Sequence, residues 1–176
     1  MGARQDEFEQ IAMPHVRSLL SAARRLTLDP AASEDLVQET MLLAWRAFHQ
    51  FECGTNARAW LFRILFNCFY ARARKEQKDA SASLSEVQRG SDPKLQEAAE
   101  IAEAFQALNG EQRAVLLLGV VEGFTCQETA EILNVPLGTV MSRLSRARQA
   151  LRERLAPAAG KAQASAAGYG WRQKEH

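Results

Sequence analysis

A group of hydroxyl, amide and guanidinium side chains near the C-terminal end of the chain has the chemistry needed to contact a nucleic acid. If residues 137–155 form a helix, one face carries Met141, Ser142, Ser145, Arg146 and Gln149, with Thr139 near its start and Arg143 and Arg148 at its flanks. Arginine binds phosphates and guanine edges, and hydroxyl groups near a helix start reach the phosphate backbone or the bases. The pattern predicts a DNA-reading helix; the competing interpretation is an ordinary basic helix in solvent.

The residues just before and within this helix have the spacing of a helix-turn-helix, the element that would position such a face. The motif needs a small residue where two helices cross, a residue that tolerates left-handed geometry in the turn, and an apolar residue that anchors the second helix. Ala130, Asn134 and Val140 occupy these places, with offsets of four and ten residues. At about 100° per residue, the inward stripe of the second helix is predicted to be Val140, Leu144, Ala147 and Leu151.

A second helical stretch, residues 57–75, combines aromatic and basic side chains without an acidic one. Its predicted core stripe is Leu61, Ile64, Leu65, Cys68 and Phe69. Its opposite face carries Arg63, Asn67, Tyr70 and Arg74, with Phe62 and Phe66 at the borders. Proteins that bind single-stranded DNA combine positive charge with rings on which bases stack, so this face is a candidate for such binding. A core aromatic cluster with a solvated edge is the alternative.

A third stretch, residues 35–48, mixes acidic, amide and apolar side chains on one helical face. Leu36, Leu43 and Ala47 are expected on its core side. The other side carries Asp35, Gln38, Glu39, Leu42 and Arg46. Apolar area among acidic and amide groups suits a protein interface better than bulk solvent.

Charge is segregated along the chain although its sum is close to zero. The 176 residues carry 22 Lys and Arg against 21 Asp and Glu, for a net charge of +1. Residues 97–136 hold one basic and seven acidic side chains, whereas residues 137–156 hold five basic and one acidic. Because phosphates repel carboxylates, we expect the acidic stretch to face away from DNA.

The predicted fold class is all-α, because apolar residues recur at helical spacing and no alternating strand pattern stands out. Residues 77–94 are rich in Ser and poor in apolar residues, which predicts a flexible linker between two small domains at 1–76 and 95–156. Residues 157–176 are predicted to be a disordered tail. Helices are expected near 5–27, 31–50, 56–76, 95–108, 111–121, 126–133 and 137–155, with N-caps at Asn56 and Thr125.

Catalytic chemistry is disfavoured by the distribution of reactive residues. The three histidines are scattered, and there is no Gly-rich phosphate loop and no metal-ligand spacing, so neither a cofactor nor a metal is expected. Cys53, Cys68 and Cys126 form no Cys-x-x-Cys pair and are interpreted as small apolar residues, with a thiol redox switch at Cys53 or Cys68 as a weaker hypothesis.

The apolar segments are too short for a membrane-inserted protein. The longest apolar run, residues 114–121, falls well below the roughly 20 residues that cross a bilayer. The N-terminal residues lack the basic-then-apolar pattern of a secretory signal, so a cytoplasmic location is expected.

Taken together, these stretches resemble a bacterial extracytoplasmic-function (ECF) sigma factor of the sigma-70 family, over roughly residues 5–156. DLVQETMLLAWRAF is similar to region 2.2 of the family and AWLFRILFN to regions 2.3 and 2.4. EQRAVLLLGVVEGFTCQETAEILNVPLGTVMSRLSRARQAL is similar to regions 4.1 and 4.2. The resemblance implies a protein that docks on core RNA polymerase, recognises minus-35 and minus-10 promoter elements and promotes strand opening.

The family pattern implies roles for particular residues. Core polymerase binding falls to Asp35, Gln38, Glu39 and Leu42, which would contact the clamp helices of the largest subunit, and the second domain would bind the flap of the second-largest subunit. For the minus-10 element the implied residues are Trp60, Arg63, Asn67, Tyr70 and Arg74, with residues 51–56 forming a loop that lines the pocket of a flipped base. For the minus-35 element they are Thr139, Met141, Ser142, Arg143, Ser145, Arg146 and Arg148. The linker would thread toward the active centre and the RNA exit channel of polymerase.

The chain departs from the common family pattern at one position and resembles one branch of the family at another. Many relatives have Lys or Arg where this chain has Met141, which could instead touch a thymine methyl group. The stretch FECGTNARAWLF resembles the general-stress branch of the family in alphaproteobacteria. Most such factors are held inactive by an anti-sigma factor, so a partner of this kind is expected. A free-standing helix-turn-helix regulator is the alternative function.

Overall fold

In a computed structural model of the chain, residues 2–78 and 93–159 are described, and all regular structure among them is helical. The helices are α1 (Ala3–Ala12), α2 (Val16–Thr27), α3 (Pro30–Ala47), α4 (Ala57–Lys78), α5 (Pro93–Gln106), α6 (Gly110–Leu116), α7 (Cys126–Leu133) and α8 (Leu137–Ala159). The all-α prediction is confirmed. Most of the predicted linker and of the predicted tail, residues 79–92 and 160–176, lies outside the described residues.

Local side-chain hydrogen bonds set the starts of several helices. The carboxylate of Asp29 accepts from the Ala32 amide (2.7 Å) and caps α3, with Pro30 in the first turn, where its missing N–H leaves no bond unmade. The predicted caps are confirmed: Asn56 Oδ1 accepts from the Ala59 amide at the start of α4, and Thr125 forms a reciprocal capping box with Glu128 at the start of α7.

The helix predicted for residues 5–27 is in fact two helices. A short 3₁₀ turn at Met13–His15 separates α1 from α2. Pro14 has no amide hydrogen and its ring crowds the preceding turn, so an unbroken α-helix is costly at this point. Similarly, the helix predicted for 31–50 ends as α-helix at Ala47 and continues as a 3₁₀ turn, Phe48–Gln50.

The first domain packs α2, α3 and α4 around a core that includes Leu19, Leu36, Leu61 and Leu65, all fully buried. One predicted core residue of α3 lies outside this core. Leu43, expected inside, is 37% exposed, because Leu36, Thr40 and Ala44 form the buried stripe of α3 and Leu43 lies beside it.

Phe62 and Phe66, expected at the borders of an exposed face of α4, are also fully buried. The ring of Phe62 meets that of Phe124 from the second domain edge to face, with centroids 5.1 Å apart. The covering domain, which no helical wheel of α4 contains, is the reason for the difference.

The second domain has its own core between α6, α7 and α8. Val140, Leu144 and Ala147 are buried there, and Leu151 packs against them, as the stripe predicted. Ala130 lies at the crossing of α7 and α8 in the same cluster.

The two domains also share a buried cluster. Ala114, Leu117, Leu118, Phe124 and Ile132 of the second domain belong to the same core as the side chains of α2, α3 and α4. Helix α4 packs directly on α7. The structure therefore shows the two domains closed on each other.

Candidate nucleic-acid interface

The helix-turn-helix forms where the sequence predicts it. Asn134 has left-handed backbone angles (φ 53°, ψ 50°) at the end of α7, and the Val135 amide donates to the Ala130 carbonyl (3.0 Å) to close the turn. Asparagine tolerates this conformation better than most residues, which explains how it replaces glycine here. Helix α8 then begins at Leu137, directly after Pro136.

The solvent face of α8 presents most of the predicted minus-35 residues together. Met141 is 58% exposed, and Ser145, Arg146 and Arg148 are exposed as well. Ser142 is half-buried and donates to the Thr139 carbonyl (3.0 Å), while Arg146 donates to the Ser142 hydroxyl (3.3 Å). These bonds hold the polar groups near the start of α8 in one orientation.

Arg143 differs from its neighbours because its guanidinium is engaged within the protein. It forms an ion pair with the carboxylate of Glu111 on α6, with a 2.5 Å separation of Nη2 and Oε1. The side chain of Arg143 is largely covered, whereas Glu111 is exposed. A phosphate or a guanine that binds Arg143 must therefore replace this carboxylate.

The predicted minus-10 face of α4 is only partly open. Arg63, Asn67 and Arg74 are exposed, but Tyr70 is half-buried beside the rings of Phe66 and Phe69. Burial raises the pKa of the Tyr70 phenol above its usual value. The phenol is therefore neutral at physiological pH and available as a hydrogen-bond donor.

Asn67 lies between two cavities of about 500 Å³ each. One is lined by residues of α3 and α4, including Glu39 and Leu43, and the other extends from Tyr70 and Arg74 to Asn134 in the helix-turn-helix turn. A pocket beside Asn67 was expected, but the loop 51–56 contributes to neither cavity.

The loop 51–56 is instead held by aromatic contacts at its base. The ring of Phe51 lies 4.8 Å from that of Trp60 and stacks on Phe48 at 6.0 Å. Gly54 has a positive φ of 92°, which a side chain would strain. Trp60 thus packs against Phe51 at the start of the loop.

The predicted polymerase-binding face of α3 is exposed at Asp35 and Gln38, and Leu42 is 49% exposed among them. Glu39 is half-buried and forms an ion pair with Arg72 of α4 (2.6 Å). Arg72 also donates to the Asp35 carbonyl (3.1 Å). Arg72 has no local sequence signal for this role, because its contacts lie more than 30 positions away.

A polar cluster between the domains is likewise not predicted by any local sequence pattern. Arg58 at the start of α4 pairs with Glu122 of the second domain (2.6 Å), and the Ser18 hydroxyl donates to the same carboxylate oxygen (3.1 Å). The Arg58 guanidinium lies 4.3 Å from the ring centroid of Phe124, in cation–π contact. A second bond joins Asn56 Nδ2 to Glu128 Oε1 at 2.8 Å. Two carboxylates of the acidic stretch thus face the first domain.

The described part of the chain contains no group of three His, Cys, Asp or Glu side chains that could hold a metal ion. Nor is any of its helices both long and apolar enough to span a membrane.

Cys68 is buried and burial raises the pKa of its thiol, while a hydrogen bond to Glu7 raises the pKa of the exposed Cys53 thiol. Neither cysteine has the lowered pKa that is typical of a reactive thiol.

Comparison with known families agrees with this arrangement. Residues 11–79 match sigma-70 region 2, and residues 98–151 match sigma-70 region 4. The ECF RNA polymerase sigma factor EcfG of Rhodopseudomonas palustris is 36% identical over 152 residues, which cover 83% of each chain. SigM of Mycobacterium tuberculosis, an ECF sigma factor, is 32% identical over 82% of this chain and 74% of its own.

Two solved structures have folds similar to that of this chain. The sigma factor RpoE of Bartonella quintana, in complex with the anti-sigma factor NepR, has a TM-score of 0.70 at 33% identity, covering 85% of this chain and 97% of its own. CnrH, in complex with the cytosolic domain of CnrY, has a TM-score of 0.66 at 28% identity, covering 87% and 90%.

The chain therefore belongs to the ECF class of sigma-70 family RNA polymerase sigma factors. It is an alternative sigma factor, a transcription initiation factor rather than an enzyme.

Proposed function

We propose that this sigma factor directs core RNA polymerase to promoters by reading a minus-35 element with α8 and a minus-10 element with α4, and that it promotes strand opening there. The proposal rests on the left-handed turn at Asn134, after which α8 presents Ser145, Arg146 and Arg148 to solvent. An exposed helix of this kind fits the major groove, where arginine and hydroxyl groups reach base edges.

For the minus-10 element, Asn67 is the residue assigned to base reading. Its amide is exposed and borders two cavities of about 500 Å³ each, with Arg63 and Arg74 exposed on the same helix to bind phosphates. A base that leaves the duplex loses its stacking partners, and a pocket that replaces those contacts favours the melted strand. On this account strand opening needs no ATP.

For core polymerase, the proposed contact surface is the face of α3 that holds Asp35, Gln38 and Leu42. Its carboxylate and amide groups surround an exposed leucine, which suits a basic partner surface with an apolar centre. Glu39 reaches this surface only if its ion pair with Arg72 is exchanged for one with polymerase. The second domain is assigned to the flap of the second-largest subunit.

Docking on polymerase also explains how weak DNA contacts suffice. The formal charge of the whole chain is only +1, so the long-range attraction to DNA is small. Two modest DNA contacts held on one large enzyme act at a high effective concentration relative to each other. The free protein is expected to bind promoter DNA poorly and to read it well in the holoenzyme.

An anti-sigma factor is proposed as a regulatory partner. Two structural neighbours, RpoE of Bartonella quintana and CnrH, were solved in complexes with NepR and with the cytosolic domain of CnrY. A location in the cytoplasm, together with polymerase, is part of the same proposal.

The test is run-off transcription with purified core polymerase. Transcript starts are mapped after overexpression of the protein, and one of these promoters is then used as template with and without the purified chain. Promoter-specific run-off product supports the proposal. Tight polymerase-independent binding to a palindrome without run-off product would show a free-standing helix-turn-helix regulator instead.

A further inference from the structure

A cavity of about 810 Å³ lies between α2 and α5, and none of the residues proposed for promoter DNA or for the α3 face lines it. Its apolar lining consists of Leu20 and Leu28 from α2 and its end, Ile101 and Phe105 from α5, and Val121 from the π-helical turn Leu117–Val121. Pockets for small molecules usually measure about 300–1,000 Å³ and are lined mostly by apolar side chains. In size and lining this cavity resembles such a pocket.

Three of the apolar side chains in this cavity are open to solvent. Ile101 is 50% exposed, Val121 46% and Leu28 41%. A single exposed apolar side chain is common on proteins, whereas several gathered in one concave place typically mark a binding site. Together with the half-buried Leu20 and Phe105, these side chains form the apolar wall of the cavity.

Leu28 has an unfavourable backbone conformation at this site. Its angles (φ 61°, ψ 5°) lie in the left-handed region, directly after the last residue of α2. Glycine is the usual residue at such a helix end, because a β-carbon is crowded in this conformation. Strained backbone positions of this kind cluster at ligand sites. A leucine here places an apolar side chain in the cavity at a cost in conformational energy.

The cavity also has positively charged side chains. Arg17, Arg24 and Arg25 of α2 line it, and the described lining residues include no carboxylate. The guanidinium of Arg25 donates to the Ser21 carbonyl (3.1 Å). Arg17 and Arg24 are exposed, and neither forms an ion pair with a carboxylate in the described part of the chain. A ligand that fills the cavity therefore meets two uncompensated cations beside an apolar wall.

This combination of groups fits an anion with an apolar body. An uncharged apolar molecule would leave the cations without a partner, and a small inorganic anion would leave the apolar wall in water. A carboxylate or phosphate head forms charge-assisted hydrogen bonds with a guanidinium, and an aliphatic chain gains free energy from each methylene that leaves water. A fatty acid or an alkyl phosphate has both parts in one molecule.

We propose that the cavity between α2 and α5 is a binding site for a free aliphatic amphiphile with a carboxylate or phosphate head, such as a long-chain fatty acid. The chain lies against Leu28, Ile101 and Phe105, and the head binds Arg17 and Arg24. The site does not depend on the proposed function, because no residue assigned to promoter DNA or to the α3 face takes part in it.

The test is isothermal titration calorimetry of the full chain with octanoate, decanoate and dodecanoate, each kept below the concentration at which it forms micelles. We expect saturable binding of one molecule per chain. The affinity should rise by up to about fourfold per added methylene, the change that about 0.8 kcal/mol produces. Decanol, which has the chain of decanoate without its charge, should bind at least about tenfold more weakly.

Paired variants test the binding of the head. Arg17→Gln combined with Arg24→Gln should weaken decanoate binding at least about tenfold, because the amides carry no charge. Arg152→Gln makes the same change on an exposed residue of α8 that does not line the cavity, and it should leave the affinity unchanged. Circular dichroism shows whether each variant is folded.

Leu28→Gly tests the binding of the chain separately. Glycine adopts the left-handed conformation without strain, so the melting temperature should stay close to that of the parent. The loss of the leucine side chain removes part of the apolar wall, so decanoate should bind several-fold more weakly. This variant also provides the measurement if the double arginine variant does not fold.

The proposal is overturned by the absence of saturable binding, by an affinity that does not depend on chain length, or by an unchanged affinity in either folded variant. Binding of phosphatidylglycerol vesicles without binding of monomeric decanoate would assign the cavity to a membrane surface instead. A concentration-dependent dimer in sedimentation that Leu28→Gly abolishes, without any amphiphile binding, would show that a second copy of the chain covers the cavity. Run-off transcription is measured separately, so its failure would contradict the proposed function and leave this site standing.

Discussion

At the residue scale, the proposed DNA-reading side chains differ in how available they are. Asn67 is exposed and borders a cavity on each side, whereas Arg143 is paired with Glu111. The sequence predicts both residues as DNA contacts in the same way, because each lies on the polar face of its helix. The competing carboxylate comes from α6, 32 positions away, and only the folded chain shows it.

We predict that Asn67→Ala weakens or relaxes selection of the minus-10 sequence without changing binding to core polymerase. Asn67 is exposed on α4, whereas Asp35, Gln38 and Leu42 lie on α3, so the loss of its amide should affect DNA binding rather than polymerase binding. Run-off transcription from templates with single minus-10 changes measures selection, and co-purification measures core binding. Gln38→Ala is the reciprocal control and should lower core binding alone; an equal loss of core binding in Asn67→Ala would contradict the assignment.

Arg143→Ala should weaken binding of the protein to minus-35 duplex by about 1–3 kcal/mol, the typical value of one good arginine contact. Glu111→Gln should instead strengthen it several-fold, because the amide no longer competes as an anion for the guanidinium. Fluorescence anisotropy with duplex DNA at moderate salt measures both. Unchanged affinity in Arg143→Ala would remove this residue from the interface.

At the element scale, the helix-turn-helix is determined by short-range chemistry. The capping box of Thr125 and Glu128, the left-handed Asn134 and the apolar stripe of α8 are all local features, and all were predicted from their spacing. The break between α1 and α2 was missed although Pro14 marks it, because the apolar periodicity continues across it.

Thr125→Ala should lower the stability of the second domain by about 1 kcal/mol, within the usual range of 0.5–2 kcal/mol for a lost N-cap. The substitution leaves the Glu128 amide without its side-chain acceptor and removes one partner of the Glu128 carboxylate. Thermal unfolding followed by circular dichroism measures the change. Thr125→Ser keeps the hydroxyl group and should retain most of the stability; an equal loss in both variants would assign the effect to the methyl group instead.

At the scale of the whole molecule, α6 and the π-helical turn that continues it, Leu117–Val121, explain how the domains join. Residues 114–118 are buried without a break, and they divide between two cores: Ala114, Leu117 and Leu118 face the first domain, while Val115 and Leu116 face α7 and α8. A helix that is apolar on all sides is a buried helix. The unbroken apolar run therefore indicates packing between the domains, in addition to being too short for a membrane span.

Acid should destabilise the closed molecule through His15. Burial, followed by the positive charge of Arg58, lowers the pKa of His15 below its ordinary value of 6.5. The unfolded chain therefore binds this proton more readily, and stability is lost as the pH falls below about 6.5. Melting temperatures at pH 7.5 and pH 5.5 should differ less in His15→Gln than in the parent. An equal loss on acidification would assign the effect to other groups.

Most of the helices, the caps at Asn56 and Thr125, the helix-turn-helix and the family follow from the sequence, because they depend on residue spacing within a few turns of helix. The tertiary structure alone decided which faces are free: it buried Phe62 and Phe66, paired Arg143 with Glu111, and joined Arg58 to Glu122. Those contacts link positions 32 to 64 residues apart, and no local periodicity encodes them. A polar face is open to DNA only where no other segment packs against it. The packing of distant segments is set only when the whole chain folds.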